Sequence, residues 1–211
     1  MPEKQSYIAL TFDDGPNMST TLDVFNVLER YNVKATFFLC GSKINSKTGL
    51  VIKHAISSGY EIGNHTTDHS DLLTLSDNEI LSEIAETDRR IIEITGTSPR
   101  FFRAPYIHVS QHIFEIVDKV FIEGIACNDW IDSVSAKERA DMIIDNVKDG
   151  DIILMHDSEG NSKTVEALDI IIPALLEENY KFCTLSELFS NYDVDPKPGS
   201  GFNYSNAMQK M

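Results

Sequence analysis

Two adjacent carboxylates and two spaced histidines are the residues of this sequence best suited to hold a metal ion. Asp13 and Asp14 lie in the run TFDDGP, and His65 and His69 lie in the run NHTTDHS. Adjacent carboxylates beside an apolar strand repel each other, so their burial is costly unless a cation neutralises them. Histidines four residues apart share one face of a helical turn and can bind the same ion. Zinc accepts both ligand types, and a catalytic site keeps one position open for water.

Each of these patterns has an alternative reading. The run DDGP also suits a surface turn. A lone HxxxH is weak evidence, and His108 and His112 have the same spacing as His65 and His69. We favour His65 and His69 because they directly follow a predicted strand, whereas His112 is expected inside a helix. His54, on a predicted amphipathic helix, is expected to be structural or solvated.

Three further polar groups follow predicted strands. Arg103 follows the fourth strand and could steady a carboxylate. Asp129 and Trp130 follow the fifth, and Leu154 and His156 end the sixth. Each could be structural alone, but in β/α folds the reactive groups gather at the carboxyl ends of the strands. Together these residues supply a charge, an acid or base and an apolar wall, which are the needs of a hydrolytic metal site.

The elements that must position these residues alternate along the chain. Apolar runs typical of buried parallel strands alternate with segments of helical periodicity. The pattern predicts an α/β fold with about seven parallel strands, which we interpret as a distorted, partly open (β/α) barrel rather than a doubly wound sheet. The predicted strands are 7–12, 35–40, 60–63, 100–104, 120–127, 151–155 and 181–185. The predicted helices are 19–31, 46–58, 79–95, 110–118, 136–147 and 163–178.

The third predicted helix shows the periodicity most clearly. Ile80, Ile84, Ile91 and Ile94 form its apolar stripe, Leu81 and Ile92 are expected to widen that stripe, Asp77 supplies a start and Gly96 a stop. Residues 1–190 are predicted to form one domain. Residues 191–211 are rich in Pro, Gly, Asn and Ser and are predicted to form an irregular tail.

Composition excludes several classes of function. With 18 basic and 33 acidic residues the net charge is −15, which disfavours nucleic acid and anionic membranes as partners. No apolar run approaches the length of a membrane span, and the N-terminal sequence does not resemble a secretion leader. Cys40, Cys127 and Cys183 contain no CxxC pair and are expected to be buried free thiols, although a disulfide stays open. No G-x-S-x-G occurs, which argues against a serine esterase with a nucleophile elbow.

The blocks TFDDGP, HTTDH, RAPY, NDW and LMH, in this order, resemble the NodB homology domain of the polysaccharide deacetylases, carbohydrate esterase family 4. The resemblance covers roughly residues 6–190. It implies a distorted β/α barrel that uses one divalent metal ion, zinc or cobalt, to remove acetyl groups from sugars. It also implies that Asp14, His65 and His69 bind the metal.

The resemblance assigns the remaining site residues by position. Asp13 resembles the general base, and Arg103 is expected to pair with it and keep it ionised. The backbone N–H of Tyr106 is expected to help the metal stabilise the oxyanion. His156 resembles the general acid, with Asp129 as the partner that orients its ring. Trp130 and Leu154 are expected to form the pocket for the acetyl methyl group.

The expected partner is an acetylated polysaccharide or oligosaccharide. Ala104 and Ile107 depart from the family pattern in the RAPY block, and the NDW block lacks an earlier aspartate, so these loops put substrate preference in question. We favour O-acetyl esters of xylan, with N-acetylglucosamine polymers such as chitin oligomers or peptidoglycan as the alternative. A non-catalytic sugar-binding protein on the same scaffold is the alternative of another class. Such substrates imply an extracellular or cell-wall location.

Overall fold

The computed structural model describes residues 5–209 of the chain. Two parts of the chain lie outside this range: residues 1–4 and residues 210 and 211. The first belongs to the N-terminal segment that does not resemble a secretion leader, and the second belongs to the predicted tail. Among the described residues, no helix combines the length and apolar character needed to cross a bilayer.

Strands and helices alternate as the sequence predicts, and the predicted fold class is confirmed. The strands are β1 Ser6–Gly15, β2 Ala35–Leu39, β3 Glu61–Asn64, β4 Phe101–Phe102, β5 Val120–Ile122, β6 Ile125–Ala126, β7 Ile152–His156, β8 Tyr180–Phe182 and β9 Asn203–Tyr204. The helices are α1 Thr20–Tyr31, α2 Thr48–Ser57, α3 Asp77–Thr95, α4 Gln111–Ile116, α5 Ala136–Ile144, α6 Ser162–Glu177 and α7 Leu185–Asn191. Short 3-10 turns occupy Gly41–Lys43, Leu72–Thr74 and Pro105–Ile107.

All the strand ladders are parallel, in the order β6-β7-β1-β2-β3-β4-β5-β9, with β8 also paired to β1. Strands β5 and β6 lie towards opposite ends of this order, yet only Glu123 and Gly124 separate them in the chain. The sheet therefore curls until its two edges meet. Gly124 permits the contact, because a Cβ at this position would lie 2.6 Å from the carbonyl oxygen of Ile152.

This curling explains why the strand number differs from the prediction. The apolar run 120–127, predicted as one strand, divides into β5 and β6, which pair with different neighbours. Strand β9 adds a further ladder beside β5. The backbone N–H of Ile152 also donates to the carbonyl of Ser205 at 3.0 Å, so the C-terminal segment fills the gap between β5 and β7.

The segment beyond residue 191 is largely irregular but packs firmly against the barrel. Tyr204 is only 2% exposed, and its ring contacts Phe189 and Phe202 at centroid distances of 5.3 and 4.8 Å. An exposed tail would leave these aromatic rings in water, so their burial favours the docked position.

The core accounts for the strong sequence patterns. Residues Ile8, Ala9, Leu10 and Phe12 of β1 are fully buried, as expected for a strand covered on both faces. Helix α3 begins with a capping box of Ser76 and Glu79 and ends at Gly96 in the left-handed conformation. The apolar stripe of α3 is narrower than predicted. Leu81 and Ile92 are 43% and 40% exposed, because only the face that carries Ile80, Ile84 and Ile91 reaches the core.

The three cysteines, Cys40, Cys127 and Cys183, are buried and free, which confirms the expectation of buried thiols. Burial raises the pKa of the Cys127 thiol and of the Cys183 thiol to about 12, so both stay protonated and unreactive near neutral pH.

Candidate active site

Asp14, His65 and His69 lie together at the carboxyl end of the sheet. Asp14 is near the end of β1, and His65 directly follows β3. The Nε2 atom of His65 lies 3.6 Å from Asp14 Oδ1, and that of His69 lies 3.4 Å from the same oxygen. One ligand atom from each of the three residues lies within 4.8 Å of the others. The structure therefore brings together the three residues that the sequence predicted as ligands.

The two histidines converge by a route that differs from the prediction. Residues 65–69 form no helical turn, so the one-face argument from helix geometry is wrong. A loop brings the rings together, with Thr66 and His69 in the left-handed conformation at φ values of 63° and 58°. The Thr66 hydroxyl accepts a hydrogen bond from the His69 N–H at 3.1 Å and closes this loop.

Neighbouring groups orient the three side chains. His65 Nδ1 donates to the carbonyl of Arg103 at 2.7 Å, which leaves Nε2 free to accept. Ser158 Oγ donates to Asp14 Oδ2 at 2.8 Å. Burial lowers the pKa of His65, which keeps the ring neutral as a metal ligand must be. Burial opposes the charge of Asp14, but the nearby histidines and the Ser158 hydroxyl outweigh it and lower the pKa of that carboxyl.

The donor set and its dimensions fit a small divalent ion. Two ligand atoms of a tetrahedral zinc site, each about 2.0–2.2 Å from the ion, lie roughly 3.4 Å apart. The separations of 3.4 and 3.6 Å from Asp14 Oδ1 to the two Nε2 atoms agree with that value. Two imidazole nitrogens and one carboxylate oxygen also match the ligand types that zinc and cobalt accept.

Asp13 lies beside the cluster and is held by a buried cation. Arg103 is fully buried, and its NH1 atom donates to Asp13 Oδ1 at 2.7 Å. The guanidinium group also donates to the carbonyls of Ile122 and Glu123, and it lies 4.3 Å from the ring centroid of Phe38. The other carboxylate oxygen, Oδ2, lies 3.9 Å from His65 Nε2. One edge of Asp13 is thus fixed by Arg103 while the other faces the ligand cluster.

His156 and Asp129 form a second charged pair, and His156 is in register with Asp13 across the β1–β7 ladder. His156 Nδ1 donates to Asp129 Oδ1 at 2.7 Å, and the His156 backbone N–H donates to Asp129 Oδ2 at the same distance. Thr164 Oγ1 also donates to Asp129 Oδ2, at 2.8 Å. Burial opposes the charged imidazole, but Asp129, Asp13 and Asp14 outweigh it and raise the pKa of His156 to about 9. His156 is therefore protonated at neutral pH.

A cavity of about 450 Å³ joins the cluster to His156. Its floor contains the least exposed residues, including Asp13 at 2%, Ala104 at 3% and Leu154 at 5%. Its rim carries two exposed aromatic side chains, Tyr106 at 60% and Trp130 at 58%. The Tyr106 ring contacts His69 at 4.8 Å, and the Trp130 ring contacts His156 at 5.7 Å. Of the site residues predicted from the sequence, all except Arg103 and Asp129 line this cavity. Arg103 binds Asp13 and Asp129 binds His156, and both of these partners line the cavity.

The histidines set aside by the sequence argument lie elsewhere. His108 pairs with Asp71 at 2.9 Å and His112 with Asp77 at 2.8 Å, and both histidines are exposed. His112 lies in α4, as expected. His54 pairs with Glu29 at 2.7 Å and is partly exposed, which agrees with a structural or solvated role.

Several supporting residues were missed by the sequence argument. Ser158 and Lys43 both contact Asp14, the latter through a 2.7 Å hydrogen bond to the Asp14 carbonyl. Ser158 could have been found, because it lies two residues beyond His156 at the same strand end. Thr164 lies on a helix with no local pattern to mark it.

The buried carboxyl of Asp157 was also missed. It accepts a hydrogen bond from the Thr21 hydroxyl, while Oδ1 has no partner within the described part of the chain. Burial, with the charges of Asp14 and Asp13, raises the pKa of Asp157 to about 7.

Comparison with known proteins supports the same family. A family model described as polysaccharide deacetylase matches residues 1–124. The chain is 44% identical over 194 residues to a bifunctional xylanase/deacetylase of Pseudobutyrivibrio xylanivorans, which covers 92% of this chain and 32% of that protein. It is 36% identical over 183 residues to the peptidoglycan-N-acetylglucosamine deacetylase PgdA of Listeria monocytogenes, which covers 86% of this chain and 38% of that protein. The chain thus spans about a third of the length of these curated relatives.

A solved structure extends the similarity over nearly the whole fold. A family 4 acetyl xylan esterase from Clostridium thermocellum, in complex with a cobalt ion, superposes with a TM-score of 0.94 at 43% identity. The match covers 96% of this chain and 100% of that one. The likeness to this structure therefore extends well beyond residue 124, where the match to the family model ends.

Proposed function

The chain belongs to the polysaccharide deacetylase family, and from that premise we propose that it is a metal-dependent hydrolase that removes acetyl groups from a polysaccharide or oligosaccharide. One observation carries the proposal. A ligand cluster of Asp14, His65 and His69 faces a protonated His156 across one cavity, with Asp13 between them. A base, a metal site and an acid around one opening are the parts that acetyl hydrolysis needs.

Asp14, His65 and His69 would hold one divalent ion, zinc or cobalt. When bound, such an ion lowers the pKa of a coordinated water and polarises the acetyl carbonyl. The protein residues must then fix the position of the water, the carbonyl and the leaving atom relative to one another.

Asp13 acts in this proposal as the general base. Arg103 occupies its Oδ1 atom, so Oδ2, on the side of the ligand cluster, is the oxygen that takes a proton from the attacking water. The buried guanidinium also holds the carboxylate rotamer fixed, which keeps the proton acceptor in place between turnovers. The Tyr106 backbone N–H is proposed to stabilise the negative oxygen that develops on the acetyl carbonyl.

His156 acts as the general acid. Asp129 holds Nδ1, so Nε2 is the atom that donates a proton to the departing oxygen or nitrogen. Leu154 is almost fully buried in the cavity and is proposed to contact the acetyl methyl group. Trp130 is more exposed than a closed methyl pocket requires, so it is proposed to contact both the acetyl group and the sugar ring.

Among substrates, we propose O-acetyl esters of xylan. The support is that the relatives at 43–44% identity are named as an acetyl xylan esterase and a xylanase/deacetylase, whereas the peptidoglycan deacetylase is 36% identical. N-Acetylglucosamine polymers are the second candidate, favoured by that weaker likeness. Either substrate class would place the enzyme outside the cell or at the cell wall.

The test is acetate release from acetylxylan, an N-acetylglucosamine oligomer and peptidoglycan, measured side by side after loading with zinc or with cobalt. We expect the fastest release from acetylxylan, and loss of release after chelation. Binding of the oligosaccharides without acetate release under either metal would instead support a sugar-binding protein on this scaffold. Release that resists the chelator would contradict the metal assignment.

A further inference from the structure

Several residues with a left-handed backbone lie in the loops that carry the active-site residues, and others end helices elsewhere. Among the described residues, nine that are not glycine have positive φ: Asp14, Asn32, Thr66, His69, Tyr106, Ile107, Asn128, Asn179 and Asp193. Five of these nine are Asn or Asp, which adopt this conformation at the lowest cost. Strained residues gather at functional sites when the strain serves the site.

Only two of the nine, Thr66 and Ile107, are β-branched, the side-chain type least suited to this conformation. Thr66 has a clear reason, because its hydroxyl accepts the hydrogen bond from the His69 N–H that closes the ligand loop. Ile107 has no polar atom in its side chain, so no hydrogen bond of that kind can compensate it. Its φ of 57° therefore needs another explanation.

The surroundings hold Ile107 in this conformation. Its N–H donates to the carbonyl of Ala104 at 3.0 Å, and the next N–H, of His108, donates to the carbonyl of Pro105 at 3.1 Å. The His108 ring is in turn fixed by Asp71 at 2.9 Å. Backbone hydrogen bonds thus fix the turn, and Asn or Gly at position 107 would adopt its left-handed conformation without strain.

Ile107 belongs to the wall of the active-site cavity, beside Tyr106. It is partly exposed, whereas Leu154 and Ala104 on the cavity floor are buried. Its side chain therefore lies at the rim, where the sugar enters, and not at the floor, where the acetyl group is proposed to bind. It shares this rim with the exposed rings of Tyr106 and Trp130.

We propose that Ile107 is a specificity-determining residue that narrows the rim and selects a pentose backbone over a hexose backbone. This inference rests on the proposed function. A xylose ring lacks the exocyclic carbon of N-acetylglucosamine, so it is the slimmer of the two substrates at the rim. A branched aliphatic side chain excludes bulk by contact alone and offers no hydrogen bond to an exocyclic hydroxyl. The exocyclic CH2OH group adds a carbon and an oxygen to the hexose ring, and a difference of even one methylene in an apolar site typically changes kcat/KM by about 10- to 200-fold.

The test compares the wild-type chain with Ile107→Gly and Ile107→Val, each loaded with zinc. Acetate release is measured on an acetylated xylo-oligosaccharide and on an N-acetylglucosamine tetramer. We expect Ile107→Gly to raise the ratio of kcat/KM for the hexose substrate to that for the pentose substrate by at least about tenfold. Ile107→Val keeps the branch at Cβ, and its ratio should stay within about threefold of the wild type.

Thermal stability gives an independent readout that needs no activity. Ile107→Asn should raise the melting temperature, because Asn tolerates the left-handed conformation. The matched control is Ile92→Asn on the exposed face of α3, which should lower it, because Asn is a poorer helix former than Ile. A lower melting temperature for Ile107→Asn would overturn the strain argument.

The two proposals fail in distinguishable ways. If the wild type releases acetate but the substrate ratio of Ile107→Gly is unchanged, the specificity inference falls and the proposed function stands. If the wild type releases acetate from neither of these substrates nor from peptidoglycan, the proposed function falls and the specificity inference falls with it.

Discussion

The pair of His156 and Asp129 offers a quantitative test of the proposed acid. Asp129 is 1% exposed and accepts from both the ring and the backbone N–H of His156. Replacing it by Asn removes the negative charge but keeps the shape of the side chain. The pKa of His156, about 9 in the wild type, should then fall to near its ordinary value of 6.5, because Asp129 supplies the largest of the interactions that oppose burial, ahead of the charges of Asp13 and Asp14.

The size of the effect follows from these two pKa values. At pH 8 a group of pKa about 9 is ~90% protonated, and one of pKa about 6.5 is ~3% protonated. The population of competent acid therefore drops about 30-fold. The shift of about 2.5 pKa units corresponds to ~3.4 kcal/mol. A bound metal cation lowers the pKa of His156 in the wild type and in Asp129→Asn alike, so the test compares the pKa of His156 between these two proteins.

The assay is kcat/KM for acetate release between pH 5 and pH 10, on an N-acetylated substrate whose amine leaving group requires a proton. The alkaline limb of the pH profile of kcat/KM should shift to lower pH by at least about two pH units in Asp129→Asn. Asp132→Asn, at a fully exposed carboxylate in the same loop, is the matched control and should leave the limb in place. An unchanged limb in Asp129→Asn, with an unchanged melting temperature, would refute the role of His156 as the acid.

Three further outcomes follow from the structure. The pKa of Asp157 is raised to about 7 from 3.8, so the stability that protonated Asp157 contributes is fully present below about pH 4 and is lost as the pH rises through 7. Asp157→Asn should therefore raise the melting temperature at pH 8, which corresponds to a gain in unfolding free energy on the order of 4 kcal/mol, and this gain should be smaller at pH 5. Arg103→Met leaves Asp13 buried without its cation and should destabilise the fold by about 3–5 kcal/mol, measured by urea unfolding. His108→Ala should keep the full metal content, because His108 binds Asp71 and not the ligand cluster.

Much of the fold was predictable because its signals are local. Strand β1 is a continuous apolar run, and helix α3 carries both its start and its stop in the sequence. Since all strands are parallel, polar residues that end different strands had to meet at one end of the sheet. This rule brings Asp14, His65 and His156 together before any coordinates are known.

The remaining features depend on closure of the barrel, which no local pattern encodes. The division of 120–127 into β5 and β6 depends on the close approach of Gly124 to Ile152. Strand β9 has two residues and forms only because a gap remains between β5 and β7. The loop from His65 to His69 likewise depends on a distant residue, because Glu83 of α3 accepts from the backbone N–H groups of Thr67 and Asp68. The spacing of the two histidines therefore identified the ligands, although the helical geometry inferred from it is wrong.

The central claim is that Asp14, His65 and His69 form one metal site required for acetate release. The most direct measurement is metal content by elemental analysis, paired with acetate release from acetylxylan, for the wild type and for His65→Ala. The wild type should bind one zinc or cobalt ion per chain, lose activity on chelation and recover it when metal is restored. His65→Ala should bind little metal and release no acetate at any metal concentration. Full activity in the metal-free wild type, or in His65→Ala, would contradict the account.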